Sequence, residues 1–239
     1  MLMLDGAKLS DTLLRMNATR FGVLGDIHAE DERLATALVL FAAQRCDQVL
    51  FVGDIVDGPG DVERCVTMLR VAKAIGVRGN HERWLLDDTM RTLRHAHHRH
   101  ALLMTNVEFF EALPATHTIT TPRGPMLLCH GVADDDMQRL REHDEGYALQ
   151  SNTALVGVMR AAQHALLLGG HTHQRTVRRF HANDVLGRGT SSLIYLNPGT
   201  LARHDTPCCA ILDFADDAMQ YYELEQADRA APSERVPLP

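Results

Sequence analysis

The sequence predicts an α/β sandwich fold, because short apolar runs alternate with helical patterns and five of these runs end in polar motifs. Runs of four or five apolar residues are typical of buried strands. They lie at residues 21–24, 49–52, 74–77, 126–129 and 165–168. The motifs that follow are Gly-Asp-Ile-His at 25–28, Gly-Asp-Ile-Val-Asp at 53–57, Gly-Asn-His-Glu at 79–82, His-Gly at 130–131 and Gly-Gly-His-Thr-His at 169–173. We therefore expect Asp, Asn and His side chains to meet at the ends of five strands of one core.

The first half of the chain predicts two successive strand–helix–strand units. Apolar residues recur at helical spacing from Leu34 to Phe41, after three acidic residues that complement a helix dipole. Asp61 is the expected N-cap of a second helix, which leads into the short strand at 75–77. Such units build a parallel half-sheet with the ligands at its carboxyl edge.

The middle of the chain predicts a helical excursion over residues 82–111, with a helix over 84–93. It contains a histidine-rich segment, His95 to His100, whose spacing is irregular and whose neighbours are basic. This pattern favours a solvated or substrate-rim role over a third metal site.

The second half predicts a strand at 116–120, a turn into the strand before His130, and helices over 134–163. Strands follow at 192–196, 207–214 and 219–224, the last two forming an antiparallel hairpin on a second sheet. We expect one domain over residues 1–226 and a frayed tail over 227–239, where three prolines interrupt any apolar pattern.

The ligand chemistry fits two metal ions better than one, because the motifs hold too many ligands for a single centre. Imidazole with carboxylate suits Mn, Fe, Zn, Co or Ni and argues against calcium. Two ions about 3.5–4 Å apart need an anionic bridge, and Asp54 at a strand end is our candidate. We expect two divalent ions, with Mn²⁺ as the first choice.

The five motifs in this order resemble the calcineurin-like metallophosphoesterases, whose pattern is D-x-H, G-D-x-x-D, G-N-H-D/E, H and G-H-x-H. The match spans roughly residues 20 to 200. The resemblance implies a four-layer α/β/β/α sandwich of two mixed sheets, with metals at the carboxyl ends of the strands. It also implies one metal held by Asp26, His28, Asp54 and His173, and another held by Asp54, Asn80, His130 and His171.

Two details bear on the branch of the family. Asn-Pro-Gly-Thr at 197–200 is similar to the N-P-G-S ending of the small prokaryotic phosphodiesterases. Residues 78–82 resemble the protein serine/threonine phosphatases, but Gly58 stands where those enzymes carry an Arg. Ala29 replaces a Gly that often follows the first His, for which we expect only a small backbone effect.

Two residues are expected to act in catalysis beside the metals. Water that bridges two divalent ions is hydroxide near neutral pH, which supplies an in-line nucleophile. The leaving alkoxide then needs a proton, and the resemblance implies His81 as the general acid, oriented by Asp57. The alternative is that His81 merely packs beside Asn80.

Four residues are candidates for substrate binding: Arg78, Asn80, Arg175 and Arg203. Arg78 would bind a phosphate oxygen as a bidentate donor, unless it forms an ion pair with Asp57 or Glu82. Arg175 and Arg203 are candidate phosphate or base contacts, with an ordinary surface role as the alternative. Asn197, with Gly199, is expected to shape a tight turn rather than to contact substrate.

The leading hypothesis is a phosphoesterase acting on small phosphodiesters or phosphomonoesters. A diadenosine tetraphosphatase-like activity, a protein phosphatase activity and a non-catalytic protein-binding scaffold on the same fold are the alternatives. Retention of every ligand position argues against the scaffold.

Composition sets limits on partners and compartment. A net charge of −7 argues against a protein that grips long nucleic acid and favours a small phosphorylated substrate. Five cysteines without C-x-x-C spacing imply neither a disulfide framework nor a thiolate zinc site. The sequence shows neither a leader pattern nor a membrane-spanning run, so we expect a cytoplasmic protein without membrane contact. A homo-oligomer is left open.

Overall fold

A computed structural model describes residues 18–239 and contains two mixed β-sheets packed face to face. The first sheet has the spatial order β11-β10-β9-β1-β2-β3 and the second has the order β4-β5-β6-β8-β7. The strands of the first sheet are β1 (Arg20–Leu24), β2 (Gln48–Phe51), β3 (Ile75–Gly76), β9 (Cys208–Asp213), β10 (Ala218–Glu223) and β11 (Ala231–Pro237). Those of the second are β4 (Thr116–Thr121), β5 (Gly124–Cys129), β6 (Leu166–Leu168), β7 (Arg175–His181) and β8 (Ser192–Pro198).

Each sheet is parallel around the strands that precede the ligand motifs. In the first sheet β1, β2 and β3 are parallel, and β9 joins β1 in the antiparallel sense. In the second sheet β5, β6 and β8 are parallel, while β4 and β7 pair antiparallel at the two edges. The carboxyl ends of the parallel strands therefore gather the motifs at one edge of each sheet.

Helices cover the outer face of each sheet. The first sheet is covered by α1 (Asp31–Ala43), α2 (Val62–Val71), α3 (Asn80–Leu86) and α4 (Met104–Ala112). The second sheet is covered by α5 (Tyr147–Gln150), α6 (Thr153–Ala161) and α7 (Ala182–Leu186).

Three apolar clusters hold these layers together. Phe41 of α1 and Leu69 of α2 pack on the outer face of the first sheet, and Leu155 of α6 packs on the outer face of the second. Side chains of both sheets, such as Val23 and Leu168, form the cluster between them. The predicted four-layer α/β/β/α sandwich is confirmed.

Local capping explains where two helices begin. Asp61 accepts a hydrogen bond from the Arg64 N–H at 3.0 Å, so the predicted cap of α2 is present. Asn152 accepts one from the Leu155 N–H at 2.9 Å and starts α6. The helical prediction over 134–163 was therefore too broad, because residues 134–146 form turns and loops and only α5 and α6 are helical.

The predicted helix over 84–93 was also too long. Helix α3 ends at Leu86, and residues 87–98 form a series of turns before a 3₁₀ turn at Arg99–Ala101. Strand β7 and helix α7 were not predicted, because their mixed polar sequence carries no clear period.

The expectation of a frayed tail was wrong for most of its length. Residues 231–237 form β11, which pairs antiparallel with β10 and places Met219 opposite Val236. Proline lacks a backbone N–H, but β11 is the edge strand of its sheet, where a missing donor on the outer side costs nothing. Leu238 is buried in the cluster between the sheets and fixes the end of the strand.

Within residues 18–239, none of the helices has the length and apolar character that crossing a membrane requires.

Candidate metal centre and active site

The five motifs meet at the carboxyl ends of strands from both sheets. Asp26 and His28 follow β1, Asp54 follows β2, and Asn80 begins α3 just after β3. From the second sheet, His130 follows β5 and the two histidines at 171 and 173 follow β6. This arrangement brings the side chains of the five motifs together at one edge of the sandwich.

Several of these side chains stand on backbone in the left-handed region. The φ angles are 46° at His28, 47° at Asp54, 63° at His171 and 58° at His173. A non-glycine residue in this region costs on the order of 1–3 kcal/mol and persists only where its surroundings enforce it. Part of that enforcement is the Asp54 carbonyl, which accepts hydrogen bonds from the N–H groups of Ile27 and His28 at 2.8 and 2.7 Å.

Glu82 supplies the rest of the support beneath Asp54. Its carboxylate is fully buried and accepts four backbone hydrogen bonds. Oε2 accepts from Asp54 and Gly79 at 2.8 and 2.9 Å, and Oε1 accepts from Ile55 and Val56 at 2.6 and 3.0 Å. Burial and then the Asp54 charge raise the pKa of Glu82 to about 7, against the effect of these donors. One side chain therefore ties the Asp54 loop to the first turn of α3.

The first group of ligand atoms comprises Asp26, His28 and His173, which could hold one metal ion. His173 Nε2 lies 3.1 Å from Asp26 Oδ2 and 3.2 Å from His28 Nε2. Asp26 is fully buried, and its carboxylate also accepts the His171 N–H.

The second group comprises Asp54, His130 and His171. His130 Nε2 lies 3.2 Å from Asp54 Oδ2 and 2.9 Å from Asn80 Oδ1, which brings the amide of Asn80 into the same cluster. Asp54 Oδ2 is also 4.0 Å from His28 Nε2. Asp54 thus belongs to the second group and also lies near His28 of the first, as a shared ligand would have to.

The charges of the cluster form two ion pairs. Burial opposes a charge on His130, but the nearby Asp54 carboxylate raises the pKa of His130 to about 10. In the same way, Asp26 and Asp205 together outweigh burial and raise the pKa of His173 to about 9. Burial lowers the pKa of His28 and of His171. Each ion pair therefore places a proton between an imidazole nitrogen and a carboxylate oxygen that could both bind a metal ion.

The cluster passes a test of fitness for metal. His171 Nε2 is a buried ring nitrogen that finds no hydrogen-bond partner among the described residues, which is the state of a donor aimed at an ion. Three other imidazoles have Nδ1 engaged: His28 with the Asp57 carbonyl at 3.0 Å, His130 with the Val52 carbonyl at 2.7 Å, and His173 with Asp205 Oδ2 at 2.6 Å. Contacts of this kind orient metal-binding imidazoles and leave Nε2 for the ion.

His81 and Asp57 form the expected pair beside this cluster. His81 Nδ1 contacts Asp57 Oδ2 at 2.8 Å, and Nε2 lies 3.9 Å from Asp54 Oδ2. The His81 ring packs against Trp84, with centroids 4.7 Å apart. Burial opposes a charge on His81, but the bond to Asp57 and the negative charges of Asp54 and Asp57 together outweigh burial and raise the pKa of His81.

The arginine candidates lie in three different settings. Arg78 lines a cavity of about 370 Å³ together with Arg83 and residues 133–136. Arg203 donates to both oxygens of Glu30 at 2.7 and 2.9 Å. Arg175 contacts Glu223 at 3.3 Å and lies over the Tyr221 ring. The ion pairs of Arg175 and Arg203 favour the ordinary structural role that was the alternative for each.

Asn197 is buried beside the ligand loop after β6. Its amide donates to the Gly170 carbonyl at 3.0 Å and to Thr172 Oγ1 at 3.1 Å, and its Oδ1 accepts from the Gly199 N–H at 2.9 Å. Gly199 has φ +85°, a conformation that glycine adopts without strain. These contacts agree with a turn-shaping role for Asn197 and Gly199.

Four contributors were missed by sequence reasoning. Arg91 and His97 bind the Asp57 carboxylate, and Asp205 orients His173. The contacts of these three residues have no sequence signal, because each residue lies in a loop far along the chain from its partner. Glu82 did carry a signal, since a Glu at the third position of a helix often reaches back to backbone N–H groups.

The histidine-rich segment divides between two roles. His95, His98 and His100 are exposed, as the solvated alternative requires. His97 is half-buried, and its Nδ1 accepts the Asp57 N–H at 2.9 Å. Among the described residues, no group of side chains close enough to hold a metal includes any of these four histidines.

Comparisons with known proteins agree with this geometry. Residues 19–217 match the family model described as the calcineurin-like phosphoesterase superfamily domain. A comparison with curated proteins finds no significant match.

Solved structures show the same fold. A metallophosphoesterase from Sphaerobacter thermophilus is 20% identical, with a TM-score of 0.60 over 90% of this chain and 88% of that one. The phosphoesterase Yfce from E. coli is 18% identical, with a TM-score of 0.53 over 92% and 100%. A dimetal phosphatase from Danio rerio is 11% identical, with a TM-score of 0.50 over 93% and 99%.

At these identities the structural likenesses establish the fold alone, whereas the family model covers most of the sequence and includes all five motifs. The chain belongs to the calcineurin-like phosphoesterase superfamily and is a metal-dependent phosphoric ester hydrolase.

Proposed function

We propose that the protein is a dinuclear-metal phosphoesterase that hydrolyses small phosphodiesters or phosphomonoesters. The observation that carries the proposal is that two groups of ligand atoms lie side by side, with Asp54 of the second group 4.0 Å from His28 of the first, and with the His81–Asp57 pair beside them. A single metal ion would be bound by only one of the two groups, and the buried side chains of the other group would have no ligand role.

Seven side chains would hold the ions. Asp26, His28, Asp54 and His173 would bind one, and Asp54, Asn80, His130 and His171 the other. The mixture of imidazole, carboxylate and amide is compatible with Mn²⁺, our first choice, and also with Fe, Zn, Ni or Co. The Danio rerio structure of the same fold is named a dimetal phosphatase, which supports the count of two.

When bound, divalent ions lower the pKa of coordinated water and polarise the phosphoryl oxygens. The chain itself supplies the leaving-group proton. His81 is held at Nδ1 by Asp57, and its Nε2 faces Asp54, so the proton at Nε2 lies on the ligand side of the ring. A positioned general acid of this kind contributes about 10²–10⁴-fold to the rate.

The surroundings favour a small substrate. The cavity of about 370 Å³ is lined by Arg78, Arg83, Ala115 and residues 133–136, and this volume suits a small organic group. Arg78 on its wall would bind an anionic oxygen of such a substrate. The net charge of −7 remains unfavourable for long nucleic acid.

The packing at Gly58 argues against a protein phosphatase. A Cβ at this position would lie 1.7 Å from the His28 carbonyl oxygen, so the backbone has no room for the Arg that those enzymes carry.

Turnover after metal reconstitution tests the proposal. Protein stripped with a chelator should lose activity on a panel of phosphomonoesters and phosphodiesters and recover it with Mn²⁺, at a stoichiometry of two ions per chain. Undiminished hydrolysis by fully demetallated protein would refute the mechanism, and saturation at one ion would refute the dinuclear centre.

A further inference from the structure

The Asp57 carboxylate, which contacts His81, also accepts three hydrogen bonds from two other residues. It is buried, and both oxygens are saturated with donors. Oδ2 contacts His81 Nδ1 and accepts from Arg91 Nη2, both at 2.8 Å. Oδ1 accepts from Arg91 Nη1 at 2.9 Å and from the His97 N–H at 2.8 Å. A histidine–carboxylate pair alone would leave Oδ1 free and the carboxylate plane able to rotate.

Arg91 is anchored as firmly as the carboxylate that it binds. Its side chain is 7% exposed. Nε donates to the Thr89 carbonyl at 2.7 Å, and Nη1 also donates to the His97 carbonyl at 2.6 Å. A two-pronged guanidinium–carboxylate contact fixes both the plane and the position of the acid.

His97 fixes the main chain of the same residue. Its Nδ1 accepts the Asp57 N–H at 2.9 Å, while its own N–H donates to the Asp57 side chain. Asp57 has φ 63°, a strained left-handed conformation that must be enforced from outside. His97 therefore fixes the backbone conformation of Asp57 and, with it, the direction in which the Asp57 side chain points.

These contacts explain the irregular segment at residues 87–98. It is built of turns, with left-handed backbone at Asp88, Met90 and His95. A segment with this backbone cost and little apolar side-chain burial needs a compensating interaction. The buried ion pair of Arg91 with Asp57 is that interaction. It connects the segment to Asp57, the residue that holds the proposed general acid His81.

We propose that Arg91, together with His97, is a positioning device that holds Asp57 in the one orientation in which His81 presents its Nε2 proton to the leaving group. The inference rests on the proposed function, because it assigns a role within the same site. Arg91 touches neither metal ligands nor the reacting atoms, so its effect should depend on how much the leaving group needs a proton.

Kinetics of Arg91→Ala and Arg91→Lys, each with two metals loaded, test this role. Misplacement of a catalytic group by about 1 Å costs up to about 10²-fold, and we expect a loss of that order in kcat on an alkyl phosphoester. A nitrophenyl ester, whose leaving group needs no proton, should lose far less, and KM should change little on either substrate. The loss in Arg91→Lys should lie between that of the wild type and that of Arg91→Ala, because lysine keeps the positive charge but cannot make the two-pronged contact with the carboxylate.

Arg94→Ala is the matched control, since Arg94 is exposed on the same segment. It should behave as the wild type on both substrates. Added guanidinium should restore part of the alkyl-ester activity of Arg91→Ala and leave Arg94→Ala unchanged. Equal losses on both substrates without rescue would assign Arg91 to fold stability and overturn the proposal.

A spectroscopic measurement separates this inference from the proposed function. In ¹⁵N-histidine-labelled protein, His81 should show a protonated Nδ1 with a downfield proton, identified by its absence in His81→Ala. The signal should be lost or shifted upfield in Arg91→Ala, or in Arg91→Lys if the alanine variant does not fold. An unchanged His81 signal would overturn the inference, whereas absence of turnover in the wild type would overturn only the proposed function.

Discussion

Replacing Glu82 with Gln should destabilise the protein and weaken both metal sites, although Glu82 is not a ligand. Each carboxylate oxygen accepts two backbone N–H groups, at distances from 2.6 to 3.0 Å. Whichever way the glutamine amide is turned, its NH₂ group faces two of these donors and satisfies neither. A buried unsatisfied donor costs about 1–3 kcal/mol, so two of them should lower the free energy of unfolding by about 2–6 kcal/mol. That is a large share of the roughly 5–15 kcal/mol that holds a typical domain together.

Urea denaturation of the metal-free protein measures the loss, and metal analysis of the loaded protein measures its consequence at Asp54. Glu108→Gln is the control, because Glu108 is exposed on α4. Glu108→Gln should change the free energy of unfolding by no more than about 0.5 kcal/mol. It should also bind as much metal as the wild type. A Glu82→Gln protein as stable as this control, with two tightly held ions, would refute the idea that the carboxylate enforces the Asp54 loop.

Three other predictions concern the metal centre and the acid. Asp54→Asn should lower the occupancy of both metal sites together, whereas His173→Ala should lower mainly that of one site. Two tightly bound ions in purified Asp54→Asn would show that Asp54 does not bridge the metals. His81→Ala should keep its metals and lose about 10²–10⁴-fold in turnover of an alkyl ester, with a smaller loss on a nitrophenyl ester; equal losses would make His81 a phosphate-positioning group. Metal affinity should rise with pH, because His130 and His173 have pKa values raised to about 10 and about 9 in the metal-free protein and must be deprotonated to bind. Calorimetry in buffers of different ionisation enthalpy should detect the released protons, and binding without proton release would contradict the ion pairs.

The ligand positions could be predicted because their signal is local. Each motif directly follows a short apolar strand, and the carboxyl ends of neighbouring parallel strands necessarily meet. The contacts of Asp57 could not be predicted in this way. Arg91 and His97 lie 34 and 40 residues from it, in a segment of turns that has no period.

Two errors have identifiable physical causes. The acidic run at 134–136 suggested a helix start, but Asp136 instead binds Arg83 through both oxygens at 2.6 and 2.8 Å. The prolines near the C-terminus suggested a frayed tail, since a missing N–H disrupts a central strand. On the edge strand β11 the same residues are tolerated, and edge position is a property of the assembled sheet rather than of the segment.

The group of Asp26, His28 and His173 and the group of Asp54, His130 and His171 each draw on both halves of the sandwich. Asp26 and His28 extend from the first sheet and His173 from the second, just as Asp54 faces His130 across the same boundary. Each bound ion would therefore act as a cross-link between the two sheets, in addition to the apolar contacts of Val23 and Leu168 that join them. By mass action, ions that bind only the docked sheets stabilise the docked state. Metal affinity should consequently report how well the two sheets fit, and a cavity introduced between them would weaken metal binding without a change in any ligand.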